Sequence, residues 1–178
     1  MEVSWVWGVE TRGDGESMSK MPKQKRGSSK QDYGTPKEFL DALRNRLGIV
    51  EFDIDLAATP ENAKASFYYT EQDDALAPKN SWCGNGGGWS FLNPPFGDIP
   101  PWVDKACDES SKGAKIAVLV PASVGANWWR EYVDGKAYIT YLNGRITFEG
   151  CKDPYPKDCA ILLYAPYLEG GSCVWKWK

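Results

Sequence analysis

The sequence predicts an α/β fold, with a mostly parallel central sheet covered by helices on both faces, and three observations carry that expectation. Apolar runs of strand length alternate with segments of helical periodicity along the chain, the pattern that packs a sheet between helical layers. The run at 115–120 is almost continuously apolar, which suits a strand buried on both faces. Proline and glycine stand where helices should start and stop, at Pro36, Gly48, Pro101, Gly113 and Gly135.

Residues 1–30 are rich in Gly, Ser, Lys and Glu and carry no apolar stretch of signal-peptide type, so they read as a flexible basic segment ahead of a folded domain at 31–178. Within that segment Lys20, Lys23, Lys25, Arg26 and Lys30 form a basic run, and its composition is that of a solvated tail. Met18 and Met21 would each serve as an alternative start. Thr35-Pro36-Lys37-Glu38 then supplies a capping hydroxyl, a proline at the first helical position and a Glu three residues on. Phe39, Leu43 and Leu47 follow at four-residue spacing, and Gly48 ends this helix. Residues 49–58 read as a strand with its exit turn, and 75–80 as a connection. The glycine-rich stretch 84–88 is either a slack hairpin turn or a gating loop. Residues 89–92 form a short buried strand, and Pro101 opens a helix that carries Trp102, Val103 and Ala106 towards Gly113. After the apolar strand at 115–120, Trp128, Trp129, Tyr132 and Val133 predict a short helix ending at Gly135. Strands are expected at 137–142 and 160–164, with an edge at 173–177.

Composition narrows the function classes. A chain of 178 residues suits one domain with a real core, and no apolar run approaches the roughly 20 residues that span a bilayer. With no signal-type segment either, the expectation is a cytoplasmic protein with no membrane partner. Histidine is absent, which removes Ser-His-Asp and Cys-His catalysis, His-Glu-x-x-His metal sites and the histidine-containing deaminase zinc site. The five cysteines are odd in number and include no Cys-x-x-Cys pair, so incidental thiols are expected and no metal. No Pro-Cys pair offers the thiolate that attacks carbon 5 of cytosine. A net charge of −3 speaks against tight indiscriminate binding to nucleic acid, while leaving room for a local basic face.

The residues that carry chemistry are Asn93, Pro94, Pro95 and Phe96. The Asn93 amide oxygen and the Pro94 carbonyl are acceptors. Two successive prolines stiffen the backbone and remove two N–H groups. Phe96 supplies a flat apolar face. A planar base on that face would set its exocyclic NH2 against two carbonyl-type acceptors, which raises electron density on the nitrogen and readies it to attack an activated methyl. Asn-Pro-Pro alone is also an ordinary loop opener, but here it follows a buried strand, at the end where open α/β sheets place their ligands.

Tyr33-Gly34-Thr35-Pro36, Phe52-Asp53-Ile54-Asp55-Leu56-Ala57-Ala58-Thr59, Asp74-Ala75-Leu76, Asn93-Pro94-Pro95-Phe96, Val118-Leu119-Val120-Pro121-Ala122 and Gly144-Arg145-Ile146-Thr147-Phe148 occur in that order. Over roughly 31–150 the chain therefore resembles the phage-type, Dam-like DNA N6-adenine methyltransferases. The resemblance implies a Rossmann-like methyltransferase fold, S-adenosyl-L-methionine as methyl donor and an adenine flipped out of DNA as acceptor. It also implies a phage protein in the host cytoplasm that shields viral DNA from restriction. Thr35 would meet the methionine carboxylate near a helix amino end. Asp55, with Asp53 two residues before it, would hold the methionine ammonium or the ribose, next to Ala57. Asp74 would accept from the adenine amino group of the donor, and Glu71 would face the ribose. Asn93, Pro94, Pro95 and Phe96 would take the target base. No Gly-x-Gly follows Asp55, only Ala57-Ala58-Thr59-Pro60, a departure from the common cofactor pattern.

Several residues keep two readings. Asp53 and Asp55 could be a strand-end pair held by Lys or Arg, and Asp74 a turn cap. Trp128 and Trp129 are either core residues or a stacking platform beside the base. Arg145 touches phosphate or pairs with a carboxylate, and Arg130 is a further candidate on the substrate side. Choice of DNA sequence falls to the loops at 98–101, 123–128 and 145–156, or to a second copy of the chain. Two other classes stay open: an amino-methyltransferase acting on RNA or on a protein amide, and an inactive DNA-binding module.

Overall fold

A computed structural model describes residues 34–178. The basic run, the segment 1–30 and Tyr33 lie outside the described residues.

The described chain forms one seven-stranded sheet in the order β2-β1-β3-β4-β6-β5-β7. Its strands are β1 (Ile54–Asp55), β2 (Phe67–Tyr68), β3 (Trp89–Leu92), β4 (Lys115–Pro121), β5 (Tyr138–Asn143), β6 (Cys159–Tyr164) and β7 (Gly171–Lys176). β2, β1, β3 and β4 pair in parallel, as do β5 and β7, while β6 runs antiparallel between β4 and β5. The sheet is thus mixed but mostly parallel, as the alternation of elements predicts.

Alternation along the central strands sends side chains to two cores. Ile116, Val118 and Val120 of β4 join Leu162 and Tyr164 of β6 beneath α2 (Pro100–Ser111) and α3 (Asn127–Tyr132), against Val103, Ala106 and Trp129. Ala117, Leu119 and Ile161 point the other way and pack with Phe39, Leu40 and Leu43 of α1 (Lys37–Leu47). β4 and β6 are buried at nearly every position because both faces are covered.

The helix ends show where the sequence pattern holds and where it slips. Gly48 takes the left-handed conformation at φ 67°, and the N–H groups of Gly48 and Ile49 close on the carbonyls of Asn45 and Arg44, a Schellman stop. At the other end Pro36 occupies the cap, with ψ at 142° and no side-chain cap bond, so α1 begins one residue later than the Thr35 capping pattern predicts. Thr35 is instead buried. The expected strand at 49–58 contracts to Ile54–Asp55, although Asp53 N–H and Leu56 N–H still bond the carbonyls of Trp89 and Phe91. β2 has no counterpart among the predicted strands, because it is a two-residue edge with Phe67 exposed and shows no alternation. Among the described residues no helix is long and apolar enough to cross a membrane.

Candidate active site

The chain runs from β1 to β2 on one side, then returns to place β3 on the other side of β1. The crevice beyond the carboxyl ends of β1 and β3 is therefore the point where the sheet order reverses, the position at which open α/β sheets bind ligands. A cavity of about 440 Å³ opens there. The segments after β1 (Ala57, Thr59, Asn62), β2 (Thr70, Glu71, Asp74) and β3 (Asn93, Pro95) wall it, with Trp102 of α2. That volume lies within the ~300–1,000 Å³ typical of small-molecule sites. A narrower recess of about 10 Å³, room for one water-sized group, adjoins it across Ala57, Asn62 and Asn93, and is lined further by Thr35, Asp55, Lys64 and Phe91. Thr35, Asp55, Ala57, Glu71, Asp74, Asn93 and Pro95 thus share one crevice.

Asp55 is buried at the end of β1. Its Oδ2 accepts the Lys64 N–H at 2.9 Å and its Oδ1 accepts the Ala57 N–H at a longer 3.4 Å. Burial pushes its pKa up to about 6, against the lowering effect of those two bonds and of the Lys64 charge. Such a carboxylate gains from any cation that enters the recess.

Asp53 is placed elsewhere. Its carboxylate lies between Gly84 and Gly88, accepting the Gly88 N–H at 3.1 Å, and a Cβ on either glycine would collide with it. The glycine-rich stretch therefore clasps Asp53 at the amino ends of β1 and β3, away from the crevice. With only two residues in β1, the side-chain alternation that would have set Asp53 beside Asp55 does not extend back to it.

At Asp73 and Asp74 the turn-capping role falls to the first. Asp73 Oδ2 accepts from Thr70 N–H and Oγ1, at 2.9 and 2.7 Å. Asp74 sits at φ 51°, a conformation few non-glycine residues adopt, with its side chain exposed on the cavity wall. Its loop is pinned from beneath. Lys105 Nζ donates to the carbonyls of Ala75, Ala77 and Asn80, each at 2.8 Å, and Trp82 Nε1 donates to the Ala75 carbonyl at 2.9 Å.

Pro94 is buried, and Phe96 is half-buried, set edge-on to Phe148 and Tyr155 at centroid distances of 5.8 and 5.4 Å. The remaining substrate-side candidates line neither the cavity nor the recess. Trp129 is a core residue stacked on Tyr141, and Trp128 packs beside it, half-buried. Arg130 is exposed and pairs with Glu131, and Arg145 pairs with Asp158 at 3.4 Å on the surface. Sequence reasoning missed Asn62, Lys64, Trp82 and Lys105, which stand in or beside irregular segments whose approach to the crevice is tertiary. The five cysteines are free thiols, and among the described residues no cluster of three or more metal-ligand side chains occurs.

Comparison with known proteins follows the same residues. A family profile described as DNA N-6-adenine-methyltransferase (Dam) matches 19–160. A protein of Escherichia phage T1 named DNA N-6-adenine-methyltransferase is 30% identical over 115 residues, which cover 65% of this chain and 46% of the relative. A protein of the same name from Haemophilus phage HP1 (strain HP1c1) is 25% identical over 130 residues, 69% of this chain and 72% of the relative. The chain spans about half the length of the phage T1 relative. The matched stretch 19–160 contains the crevice and every strand that builds it.

Proposed function

The chain belongs to the DNA N-6-adenine-methyltransferase (Dam) family, and from that premise we propose that it transfers a methyl group from S-adenosyl-L-methionine to the N6 amine of adenine in DNA. The observation that carries this reading is the position of Asn93, at the carboxyl end of β3, on the wall shared by the larger cavity and the narrower recess.

The donor set fits S-adenosyl-L-methionine. A nucleoside suits the larger cavity, where Asp74 would accept from the adenine amine and Glu71 from the ribose hydroxyls. The methionine tail would point towards the recess, which at about 10 Å³ admits one water-sized group and would have to widen on binding; there Asp55 would hold the ammonium, Thr35 would offer its hydroxyl to the carboxylate, and Ala57 keeps the wall low. When bound, the donor supplies an electrophilic methyl on a sulfonium. The Asn93 Oδ1 and the Pro94 carbonyl would accept hydrogen bonds from the two N6–H groups of the target adenine and keep its lone pair aimed at that methyl; as the N–C bond forms the S–C bond breaks to leave S-adenosylhomocysteine, and one N6 proton is then lost to water. Phe96 would support the ring, and Pro95 stiffens the turn. Catalysis on this scheme is alignment more than acid–base chemistry, which accords with a chain that has no histidine. Taking adenine out of the duplex costs a few kcal/mol, and stacking on an aromatic returns about 1–3 kcal/mol per base. Among the described residues Arg130 and Arg145 form surface ion pairs with Glu131 and Asp158, which a DNA phosphate could replace. The sheet supports a Rossmann-like methyltransferase fold, since strand order reverses at β1 and β3 and one antiparallel strand, β6, is inserted near the far edge. The test is incubation with DNA and donor, followed by digestion and mass spectrometry for N6-methyladenine, with RNA and protein acceptors in parallel. Methyl transfer to RNA or protein alone would overturn the DNA assignment.

Asp55 gives this reading a pH signature. Its folded pKa of about 6 exceeds the 3.8 ordinary for an aspartate, so in the ligand-free protein its contribution to stability is present below pH 3.8 and lost as pH rises through 6. At neutral pH the ionised, buried carboxylate costs on the order of 2–3 kcal/mol, which an incoming ammonium relieves. S-Adenosylhomocysteine, which carries the same tail, should therefore bind with constant affinity from pH 8 to about 6. Below that its affinity should fall by up to about tenfold per pH unit. Calorimetric titrations at fixed ionic strength, with 5′-methylthioadenosine as the tail-less control, check this; an affinity that stays level down to pH 5 would remove Asp55 from the ammonium site.

A further inference from the structure

We propose that Lys64 anchors the carboxylate of the donor's methionine tail, and that Glu149 occupies the Lys64 ammonium until that carboxylate displaces it. The inference rests on the methyltransferase reading and adds to it a residue that neither the turn at Asn93 nor the family match assigns.

The narrower recess is lined by one buried carboxylate, Asp55, and among the described residues by one cation, Lys64. The two are built as a unit, because the Lys64 main-chain N–H donates to Asp55 Oδ2 at 2.9 Å. A pocket with one fixed negative and one fixed positive group complements a zwitterion, and the amino-acid end of the donor is one. Thr35 offers that carboxylate only a neutral hydroxyl. The larger cavity next door is walled by Glu71 and Asp74 with no cation among the described residues, so the carboxylate has no better partner there.

Lys64 is also more enclosed than a lysine usually is. Its side chain is only 16% exposed, and Nζ grips both carboxylate oxygens of Glu149, at 3.2 and 3.1 Å. Glu149 is more open, with a side chain 45% exposed, and its own N–H is tied to the Gly34 carbonyl at 2.8 Å. Glu149, the more exposed member of the pair, is a carboxylate that water can take over at small cost when a ligand carboxylate arrives. Glu149 then acts as a placeholder that keeps the ammonium at the recess and competes weakly with the ligand.

The test is calorimetric binding of S-adenosylhomocysteine and 5′-methylthioadenosine, which share nucleoside and sulfur but differ in the amino-acid tail. For Lys64→Met the expected result is a roughly ten- to hundredfold loss of S-adenosylhomocysteine affinity with that of 5′-methylthioadenosine unchanged. Lys64→Arg should keep most of the preference for the tail. Glu149→Gln should raise S-adenosylhomocysteine affinity by about two- to fivefold, as removal of a weak surface competitor requires. Because Asp55 is bonded by the Lys64 main chain, the substitutions leave that bond intact, and thermal melting confirms folding. Lys64→Met with unaltered S-adenosylhomocysteine affinity, or with both ligands weakened in parallel, overturns the proposal. Wild-type protein that binds neither ligand sinks the methyltransferase reading itself.

Discussion

Asn93→Ala is expected to reduce methyl transfer to DNA by on the order of 10²–10³-fold while S-adenosylhomocysteine affinity stays within a few-fold of wild type. The asymmetry follows from where Asn93 stands. It contributes one wall to each of two adjoining spaces, so removing its amide leaves most of the contacts available to a nucleoside and its tail. What disappears is an acceptor aimed at the amine, and an amine without it is free to turn its lone pair away from the methyl. Pro94 keeps its carbonyl because the backbone it belongs to is fixed by two prolines, so one acceptor survives and the loss is not total. Asn93→Asp, which preserves an oxygen acceptor at the same place, should retain more activity than the alanine variant. Single-turnover methylation of an adenine-containing duplex, read beside calorimetric binding, separates these outcomes. Equal methylation rates for wild type and Asn93→Ala would end the role of the Asn-Pro-Pro-Phe turn.

How legible this site is in the sequence depends on which residues are asked about. Trp89–Leu92 is legible to the residue, because a strand buried on both faces is written as an apolar run with a sharp Asn-Pro-Pro boundary. β4 and β6 are legible for the same reason, and the turn that follows β3 falls where strand direction and order require. Asp55 and Asp74 share the crevice, as their local motifs lead one to expect. Asp53 does not, since its placement hinges on β1 being two residues long and on two glycines, 84 and 88, that leave space for its carboxylate. Lys64 is illegible in principle from local pattern. It sits in an irregular stretch between β1 and β2, and its meaning comes from Asp55, nine residues earlier, and Glu149, 85 residues later. The antiparallel sense of β6 is likewise invisible to periodicity, because burial on both faces reads identically whichever way a strand runs. A two-residue edge such as β2 has no pattern to read.

Trp82→Ala should be the most damaging substitution for stability, at about 3–5 kcal/mol, a large share of the ~5–15 kcal/mol that typically holds a domain together. Trp82 is fully buried; its carbonyl accepts from Ser90 Oγ at 2.9 Å, and four further interactions meet on it. Its ring stacks on Trp102 at 6.1 Å, Lys105 Nζ lies 5.3 Å over the ring, Nε1 bonds the Ala75 carbonyl, and its main-chain N–H bonds the buried carboxylate of Glu109 at 2.9 Å. Alanine keeps only the two main-chain bonds and leaves a cavity. The damage should also reach the crevice, because the loop from Asp74 to Asn80 rests on this platform and Asp74 is held at a positive φ that costs of order 1–3 kcal/mol unless its surroundings enforce it. Lys105→Met isolates that second effect. Methionine fills similar space, but the three loop carbonyls at 75, 77 and 80 lose their shared donor; buried Ala75 keeps its bond from Trp82 Nε1, and Ala77 and Asn80 are only partly buried, so the stability cost should be only about 1–2 kcal/mol. Both variants should weaken 5′-methylthioadenosine binding, Lys105→Met doing so with little change in melting temperature. Urea denaturation beside ligand titration reads both quantities. If Lys105→Met binds the nucleoside as wild type does, Asp74 is not held in place by Lys105 and the loop keeps its shape through Trp82 and the Asn80 Nδ2 bonds to the Asp73 and Asp74 carbonyls.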